Sequence, residues 1–129
     1  MRVADLMSRD VHTISPDLAA GAARHEMRRR NVRHLVVVKD GHLAGVISDH
    51  DLRSDRAVMS DLDPTVDDLS TGRVVVASPE MSITRAAALL RAHRIDCLPV
   101  VDGKRLVGII TTSDLLDYLA GRSHPAASS

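Results

Sequence analysis

The feature that most constrains this chain is that its sequence is written twice, in copies offset by 63 positions. The stretch "GVISDHDL" at 45–52 aligns without a gap on "GIITTSDL" at 108–115, and the same register matches identical residues from one end of each copy to the other. An internal duplication predicts two similar units that pack on each other. We therefore expect a first repeat at residues 1–60, a second repeat at 61–121 and a flexible C-terminal tail at 122–129.

Local patterns predict the order strand, helix, strand, strand, helix in each copy. The β-branched runs "VHTI" and "VVVA" are each followed by Ser-Pro, which we interpret as a helix cap with proline at the first helical position. In "SPDLAAGAARHEMRRR" and "SPEMSITRAAALLRAHR", small and apolar residues then recur at helical spacing. A second helix is expected after Ser48 and after Thr111.

The two later strands of each copy form a predicted hairpin. "HLVVV" and "CLPVV" are separated from "LAGVI" and "LVGII" by turns containing Asp40-Gly41 and Asp102-Gly103, and Asp-Gly between apolar runs is a strong hairpin signal. These runs are apolar without alternation, so we expect both sheet faces to be covered. The predicted fold is α/β (α+β): two tandem β-α-β-β-α repeats packed through their sheets with pseudo-two-fold symmetry.

Composition and charge exclude several classes of protein. Apolar residues make up 44% of the chain, yet Tyr118 is the only aromatic, so the core is aliphatic and no stacking platform for single-stranded nucleic acid exists. Seventeen basic side chains balance seventeen acidic ones, which gives no field to attract nucleic acid or a membrane surface. Without an apolar stretch of signal-peptide or membrane-helix length, we expect a cytoplasmic protein with no nucleic-acid or membrane partner.

The chain resembles a tandem pair of CBS domains, named after cystathionine β-synthase, from residue 1 to about 120. The resemblance rests on "CLPVVDGKRLVGIITTSDLL" and on its weaker partner "HLVVVKDGHLAGVISDHDL". The first copy departs from the family pattern at Val36, where proline is common, and at Ser48, where threonine is common. The resemblance implies a pseudo-symmetric module with two clefts between the repeats, and a likeness of fold alone proves no ligand.

The resemblance also implies ligands and partners. Clefts of this family bind adenosine-containing ligands, namely AMP, ADP, ATP, S-adenosylmethionine or NADH, as regulators, with no cofactor required, and the modules associate as flat homodimers. Carried over to this chain, Asp51 and Asp114 would hold the ribose hydroxyls, while Ser48 and Thr111 would reach the ribose or phosphate.

Elementary chemistry supports a role for these four residues in binding a ribose and a phosphate. A carboxylate accepts both hydrogen bonds of a vicinal diol, and a hydroxyl three residues earlier lies on the same first helical turn, where free N–H groups favour a phosphate. The alternative is a capping box, in which hydroxyl and carboxylate satisfy only the helix N–H groups. Thr65-Val66-Asp67-Asp68 has the same spacing outside the proposed clefts, so the spacing alone decides nothing. The matched glycines Gly45 and Gly108 leave room either for a ligand or for close approach of another backbone.

The remaining candidates are weaker. Arg33 and His34 begin the second strand, where they either neutralise a phosphate or remain solvated, in contrast to the arginines of "RHEMRRR", which are typical of a solvated helix face. An apolar slot for adenine is predicted near four residues that fit an ordinary core equally well: Ile14, Val36, Ala77 and Pro99.

Metal and redox chemistry have little support in the sequence. The seven histidines form no close pair at ligand spacing with cysteine or carboxylate, so we expect no metal site. Cys97 is expected to be a buried, inert thiol, and a redox sensor is the alternative.

The leading hypothesis is a non-enzymatic sensor whose adenosine ligand changes contacts with a regulated protein, which the sequence does not name. The alternative is a ligand-free dimerisation or protein-interaction module. A nucleotide hydrolase has little support, because no nucleophile is adjacent to a base and no Gly-x-x-x-x-Gly-Lys phosphate loop occurs.

Overall fold

The computed structural model describes residues 1–52, 64–70 and 74–121. The acidic stretch "RSDRAVMSDLDPT" at 53–65 predicts an exposed link between the repeats; its residues 53–63 and the predicted tail at 122–129 lie outside the described residues. The described elements are, in chain order, α1 (Val3–Leu6), β1 (Thr13–Ile14), α2 (Ala20–Arg30), β2 (His34–Lys39), β3 (His42–Ser48), α3 (Asp49–Leu52), α4 (Val66–Leu69), α5 (Ile83–His93), β4 (Cys97–Asp102), β5 (Arg105–Thr111) and α6 (Thr112–Leu119).

The chain forms two compact units, and their boundaries differ from those of the repeats. The central unit is His12–Val74, and the terminal unit combines Met1–Val11 with Val75–Ser129. Each unit therefore contains most of one repeat together with the short N-terminal helix of the other, because α1 belongs to the terminal unit and α4 to the central one. The repeat boundaries describe the duplication, and as domain boundaries they stay a prediction.

The central unit is a three-stranded sheet with helices on one face. β1 runs parallel to β2, and β2 runs antiparallel to β3. Apolar residues that alternate along β2 and β3 point to this face, where residues of α2, α3 and α4 cover them. The resulting core contains Ala20, Ala23, Met27, Leu35, Val37, Ile47, Leu52, Val66 and Leu69.

The terminal unit repeats this arrangement around the antiparallel pair β4 and β5. Two single residues extend the sheet: Ala77 bridges Val100 in parallel, and Ser8 bridges Ile109 in the antiparallel sense. The predicted strand "VVVA" is thus represented by one bridging residue. The core of this unit contains Val3, Leu6, Met7, Ala77, Ala86, Leu90, Leu98, Val100 and Ile110.

The prediction that the first long helices begin at Ser-Pro is wrong in both copies. α2 begins at Ala20 with Ala19 as its N-cap, and α5 begins at Ile83 with Ser82 as its N-cap, so each starts four residues after the proline. The residues after each proline form a turn, which the Leu18 N–H closes on the Ser15 carbonyl at 3.1 Å in the first copy.

The carbonyls of this turn have partners outside the helix, which explains its late start. The Pro16 and Leu18 carbonyls accept hydrogen bonds from the N–H groups of Asp67 and Val66 at 3.0 and 2.8 Å. Those N–H groups belong to the first turn of α4 and have no partner within their own helix. The turn therefore docks α4, and α1 docks on the equivalent turn of the second copy, where the Ala4 N–H donates to the Pro79 carbonyl at 3.0 Å.

Both hairpins have two-residue loops, but the Asp-Gly pair lies one position earlier relative to the loop in the second hairpin than in the first. In the first, Asp40 and Gly41 both have positive φ, 52° and 79°, as a two-residue loop of the mirror-image type requires. In the second, Asp102 still pairs with Arg105, so the loop consists of Gly103, with φ 64°, and Lys104. The expected Asp-Gly turn is thus present in the first copy, and in the second its aspartate belongs to the strand.

Burial on the strands depends on their position in the sheet. Leu35–Val37 of β2 and Cys97–Val100 of β4 are buried at every residue, as predicted for strands covered on both faces. β3 and β5 instead alternate between buried and less buried residues over their last five positions. The prediction of full coverage therefore holds for the first strand of each hairpin only.

Candidate functional site

Ser48 and Asp51 form a reciprocal pair where β3 passes into α3. The Asp51 N–H donates to Ser48 Oγ at 3.1 Å, and the Ser48 N–H donates to Asp51 Oδ2 at 2.9 Å. Both side chains are partly buried. We call this pair the central grip. It has the two hydrogen bonds of a capping box, so the capping alternative is realised here.

Thr111 and Asp114 form the equivalent terminal grip at the start of α6. The Asp114 N–H donates to Thr111 Oγ1 at 3.2 Å, and the Thr111 N–H donates to Asp114 Oδ2 at 2.8 Å. A third pair with the same spacing caps α4, where the Thr65 N–H donates to Asp68 Oδ2 at 2.9 Å. Hydroxyl and carboxylate at this spacing therefore make a helix cap wherever they occur in the described chain.

Capping and ligand binding use different lone pairs, so one carboxylate can do both. An ionised carboxylate has about four acceptor positions on its two oxygens, and the cap occupies only Oδ2. Among the described residues, Oδ1 of Asp51 accepts no hydrogen bond. The cap fixes the orientation of the carboxylate, and Oδ1 is then available to a diol without a rearrangement of the backbone.

The strand pairing shows which candidates share a face with the central grip. His34 lies directly opposite Ser48 and Val36 opposite Val46, whereas Leu35 between them points into the core. Directly opposed residues on antiparallel strands have Cβ atoms about 4.5–5.5 Å apart on the same face. We call the face that carries His34, Val36 and Ser48 the outer face of the central unit.

The outer face of the terminal unit has the same construction. Cys97 lies opposite Thr111, and Pro99 lies opposite Ile109. Pro99 and its counterpart Val36 are both fully buried and belong to neither core cluster. The structure therefore brings the grips, His34, Val36 and Pro99 onto equivalent outer faces, one in each unit.

Ile14 and Ala77 do not join these faces. Ile14 pairs with Val37 and packs against the central core, and Ala77 is part of the terminal core. The backbone of Ala77 is also engaged, since its N–H donates to the Pro99 carbonyl and its carbonyl accepts from Val101, both at 2.9 Å. The side chains of Ile14 and Ala77 are therefore ordinary core side chains, which is the alternative that the sequence left open.

Arg33 is exposed and is tied to the central grip through its backbone. Its carbonyl accepts a hydrogen bond from the Asp49 N–H at 2.9 Å, at the first residue of α3. In the terminal unit the Asp96 carbonyl accepts from the Thr112 N–H at the same distance. Positions 33 and 96 therefore adjoin the two grips in the same way.

Of the two matched glycines, Gly108 makes room for backbone, one of the two alternatives considered from sequence. A Cβ atom on Gly108 would lie 2.8 Å from Met7 Sδ and 2.8 Å from the Ser8 carbonyl oxygen. Gly108 pairs with Val100, so it faces the core rather than the grip. The occupant at Gly108 is the segment after α1.

Sequence reasoning missed two residues near the central grip. Thr13 is exposed and pairs with Val36, so the alternation of the strand places it on the outer face. That alternation, counted from the apolar Ile14, would have found it. Arg24 of α2 donates from Nη2 to the Leu52 carbonyl at 2.9 Å and so fixes the end of α3 that follows Asp51. No sequence signal marked Arg24, because its position in the second copy is Ala87.

The thiol beside the terminal grip is strongly perturbed. Burial, together with the negative charge of Asp96, raises the pKa of Cys97 to about 12 from its ordinary value of 9.0. The thiolate is the reactive form of cysteine, and it is suppressed here. This agrees with the expectation of an inert, buried thiol.

The described residues contain neither a cluster suited to a metal ion nor a helix suited to a membrane. In the ranges 1–52, 64–70 and 74–121, no cluster of three or more histidine, cysteine, aspartate or glutamate side chains has a geometry that could hold a metal ion. Within the same ranges, no helix has the length and hydropathy needed to cross a membrane.

Comparison with known proteins identifies the family. The CBS domain model matches twice, at residues 3–57 and 66–121. The chain therefore belongs to the CBS domain family, as a tandem pair. The CBS domain-containing protein YhcV of Bacillus subtilis is 36% identical over 115 residues, which cover 88% of this chain and 81% of YhcV.

Other relatives are much longer than this chain. Inosine-5′-monophosphate dehydrogenase of Thermoplasma acidophilum is 37% identical over 112 residues, which are 86% of this chain but 22% of the dehydrogenase. The chain thus corresponds to about a fifth of that enzyme.

Solved structures confirm the α/β fold class. The CBS domain pair of protein MJ0100, in complex with 5′-methylthioadenosine and S-adenosyl-L-methionine, matches with a TM-score of 0.86 and 26% identity, over 94% of this chain and 97% of that one. CBSX2 in complex with AMP matches with a TM-score of 0.82 and 27% identity, over 93% and 96% of the two chains.

Proposed function

We propose that this protein is a non-enzymatic regulatory module that binds an adenosine-containing ligand at its grips. The observation that carries the proposal is the repeated outer face, on which a hydroxyl and an oriented carboxylate adjoin a buried apolar residue in each unit. The structural neighbours crystallised with AMP, 5′-methylthioadenosine and S-adenosylmethionine support adenosine as the common part of the ligand.

Each grip has a defined part in the proposed mechanism. The carboxylate of Asp51 or Asp114 accepts hydrogen bonds from the ribose diol, and the hydroxyl of Ser48 or Thr111 donates to the ribose or the phosphate. Adenine lies at the outer face beside Val36 in the central unit and Pro99 in the terminal unit, and because both side chains are fully buried, aliphatic contact with them requires the residues that cover them to move. We expect the ligand to favour one arrangement of the module, with the output delivered to a second protein in the cytoplasm.

The proposal is tested by titration calorimetry with AMP, ADP, ATP, S-adenosylmethionine and NADH. Asp51→Asn and Asp114→Asn keep the shape of the cap but remove the charge that strengthens a bond to a diol. A hydrogen bond to a charged group contributes about 1.5–3 kcal/mol, so each substitution should weaken its own site roughly 10- to 100-fold.

The matched control is Asp68→Asn, which alters the capping box of α4, a helix that packs on the core face of the central sheet. It should leave every affinity unchanged. Equal affinity in all three variants would exclude the ribose assignment. If none of the five ligands binds at millimolar concentration, the interaction module becomes the better account.

The second candidate, a protein-interaction module, has its own observation. Helix α6 exposes Leu116, Tyr118 and Leu119, the first and last by 59% and 76%. Large exposed apolar side chains grouped on one helix are typical of interaction surfaces. This surface is compatible with the sensor as well, because Thr111 and Asp114 lie at the start of α6 and the exposed side chains lie in its second half.

A further inference from the structure

The two grips have the same geometry, but the side chains around them differ in charge. With the offset of 63, Arg33 corresponds to Asp96 and His34 to Cys97. A cationic residue beside one grip is thus replaced by an anionic residue beside the other.

The hydrogen bonds establish that the compared positions are equivalent. The carbonyls of Arg33 and Asp96 each accept from the first N–H of the helix that carries the grip aspartate, both at 2.9 Å. His34 and Cys97 each lie directly opposite the hydroxyl residue of their grip. The backbone therefore places positions 33 and 34 beside the central grip as it places positions 96 and 97 beside the terminal grip.

These differences matter for an anionic ligand. In the central unit, the Arg33 guanidinium is always charged and offsets one of the two negative charges of Asp49 and Asp51. A phosphate on a ligand of the central grip would therefore have a cation at position 33, where the terminal grip has the anion Asp96.

In the terminal unit the same positions oppose a phosphate. Asp96 adds a second carboxylate to that of Asp114, and Cys97 remains a neutral thiol. Thr112 and Ser113 supply hydroxyls but no positive charge. Arg94 precedes this site, but it corresponds to Asn31 and ends α5 in a left-handed conformation with φ 53°, so it is not the counterpart of Arg33.

We propose that the two sites divide adenosine ligands by charge: the central grip takes a phosphorylated ligand of the AMP class, and the terminal grip takes a ligand without phosphate. The second class comprises uncharged 5′-methylthioadenosine and the sulfonium compound S-adenosylmethionine. This inference rests on the proposed function and assigns a ligand class to each of its sites.

The experiment separates the sites with the grip variants. Asp114→Asn leaves the central site, which should bind AMP at least tenfold more tightly than adenosine. Asp51→Asn leaves the terminal site, which should bind 5′-methylthioadenosine at least tenfold more tightly than AMP. Calorimetry with adenosine, AMP and 5′-methylthioadenosine measures all of these preferences.

Charge reversal at Arg33 and Asp96 tests whether these side chains cause the difference in ligand preference between the two sites. Arg33→Asp in the Asp114→Asn protein should abolish the preference for AMP over adenosine, and Asp96→Arg in the Asp51→Asn protein should raise AMP affinity at least tenfold. Arg28→Asp, at an exposed position of α2, makes the same change in net charge as Arg33→Asp but away from the grips. It should leave the preference for AMP over adenosine unchanged. All three positions are exposed, so the variants should fold, which circular dichroism and thermal unfolding verify.

The outcomes distinguish this inference from the proposed function. If both sites bind adenosine and AMP with the same preference, or if charge reversal leaves that preference unchanged, the division by charge is wrong while adenosine binding stands. If none of these ligands, including S-adenosylmethionine, binds either site, the proposed function fails and the inference fails with it.

Discussion

Gly108 is a residue at which the fold leaves almost no space for a side chain. A Cβ atom there would lie 2.8 Å from a backbone oxygen, a contact that relaxes only if the segment after α1 moves. We predict that Gly108→Ala lowers the free energy of unfolding by about 1–3 kcal/mol, the cost typical of overpacking.

Gly21 provides the matched control for this substitution. It lies in α2 with nothing within 4 Å of its added Cβ, so Gly21→Ala should stabilise the protein by about 0.5–1 kcal/mol through helix propensity. Urea denaturation of both variants makes the comparison. A Gly108→Ala protein as stable as the wild type would contradict the close approach of Met7 and Ser8.

The Cys97 thiol predicts how stability depends on pH. Its pKa is raised to about 12 in the folded state from 9.0, so folding favours the neutral thiol. This contribution is fully present below about pH 9 and is lost as the pH rises towards 12. We predict that wild-type stability falls more steeply than that of Cys97→Ala between pH 9 and pH 10.5, as measured by urea denaturation. Parallel pH profiles would contradict the burial of this thiol, as would rapid labelling of the native protein by a thiol reagent at pH 8.

At the scale of elements, each of the short helices α1 and α4 belongs to the unit that is built mainly from the other repeat. Leu6 of α1 belongs to the terminal core and Leu69 of α4 to the central core, and both are almost fully buried. Replacing a buried leucine by alanine costs about 2–5 kcal/mol. Each substitution should therefore weaken a unit built mainly from the other repeat.

We predict that Leu6→Ala increases amide hydrogen exchange in β4 and β5, and that Leu69→Ala increases it in β2 and β3. Each variant serves as the control for the other, because the residue types, the change and the burial match. Faster exchange in β2 and β3 of the Leu6→Ala protein, with β4 and β5 unchanged, would contradict the observed assignment of α1.

For the whole molecule, the resemblance to CBS modules predicts a homodimer, and the apolar side chains of α6 mark a surface that could form it. We predict that the protein sediments as a dimer and that Leu116→Glu raises its dissociation constant at least tenfold, because a charge replaces a large exposed apolar side chain. Ala88→Glu, at an exposed position of α5, adds the same charge as a control. A wild-type monomer, or an equal effect of both substitutions, would exclude α6 as the interface.

Much of the candidate site was predictable from sequence because it depends on local rules. Ser48, Asp51, Thr111 and Asp114 lie where the strand-to-helix pattern puts them, since a hydroxyl and a carboxylate three residues apart cap a helix almost independently of context. Whether these residues bind a ligand stays a prediction. Local rules did not predict the position of Ile14, because the face of the sheet on which its side chain lies depends on how β1 pairs with β2.

The sequence by itself determined the duplication, the order of the main elements, the aliphatic core and the capping residues, because each follows from composition or from contacts within a few residues. Only the tertiary structure decided that α1 and α4 complete units built from the other repeat. Two similar repeats present two similar docking turns, so the pattern of either copy does not say which turn a short helix will occupy. The late starts of α2 and α5 have the same origin, because the carbonyls after each Ser-Pro bind a helix that is distant in sequence.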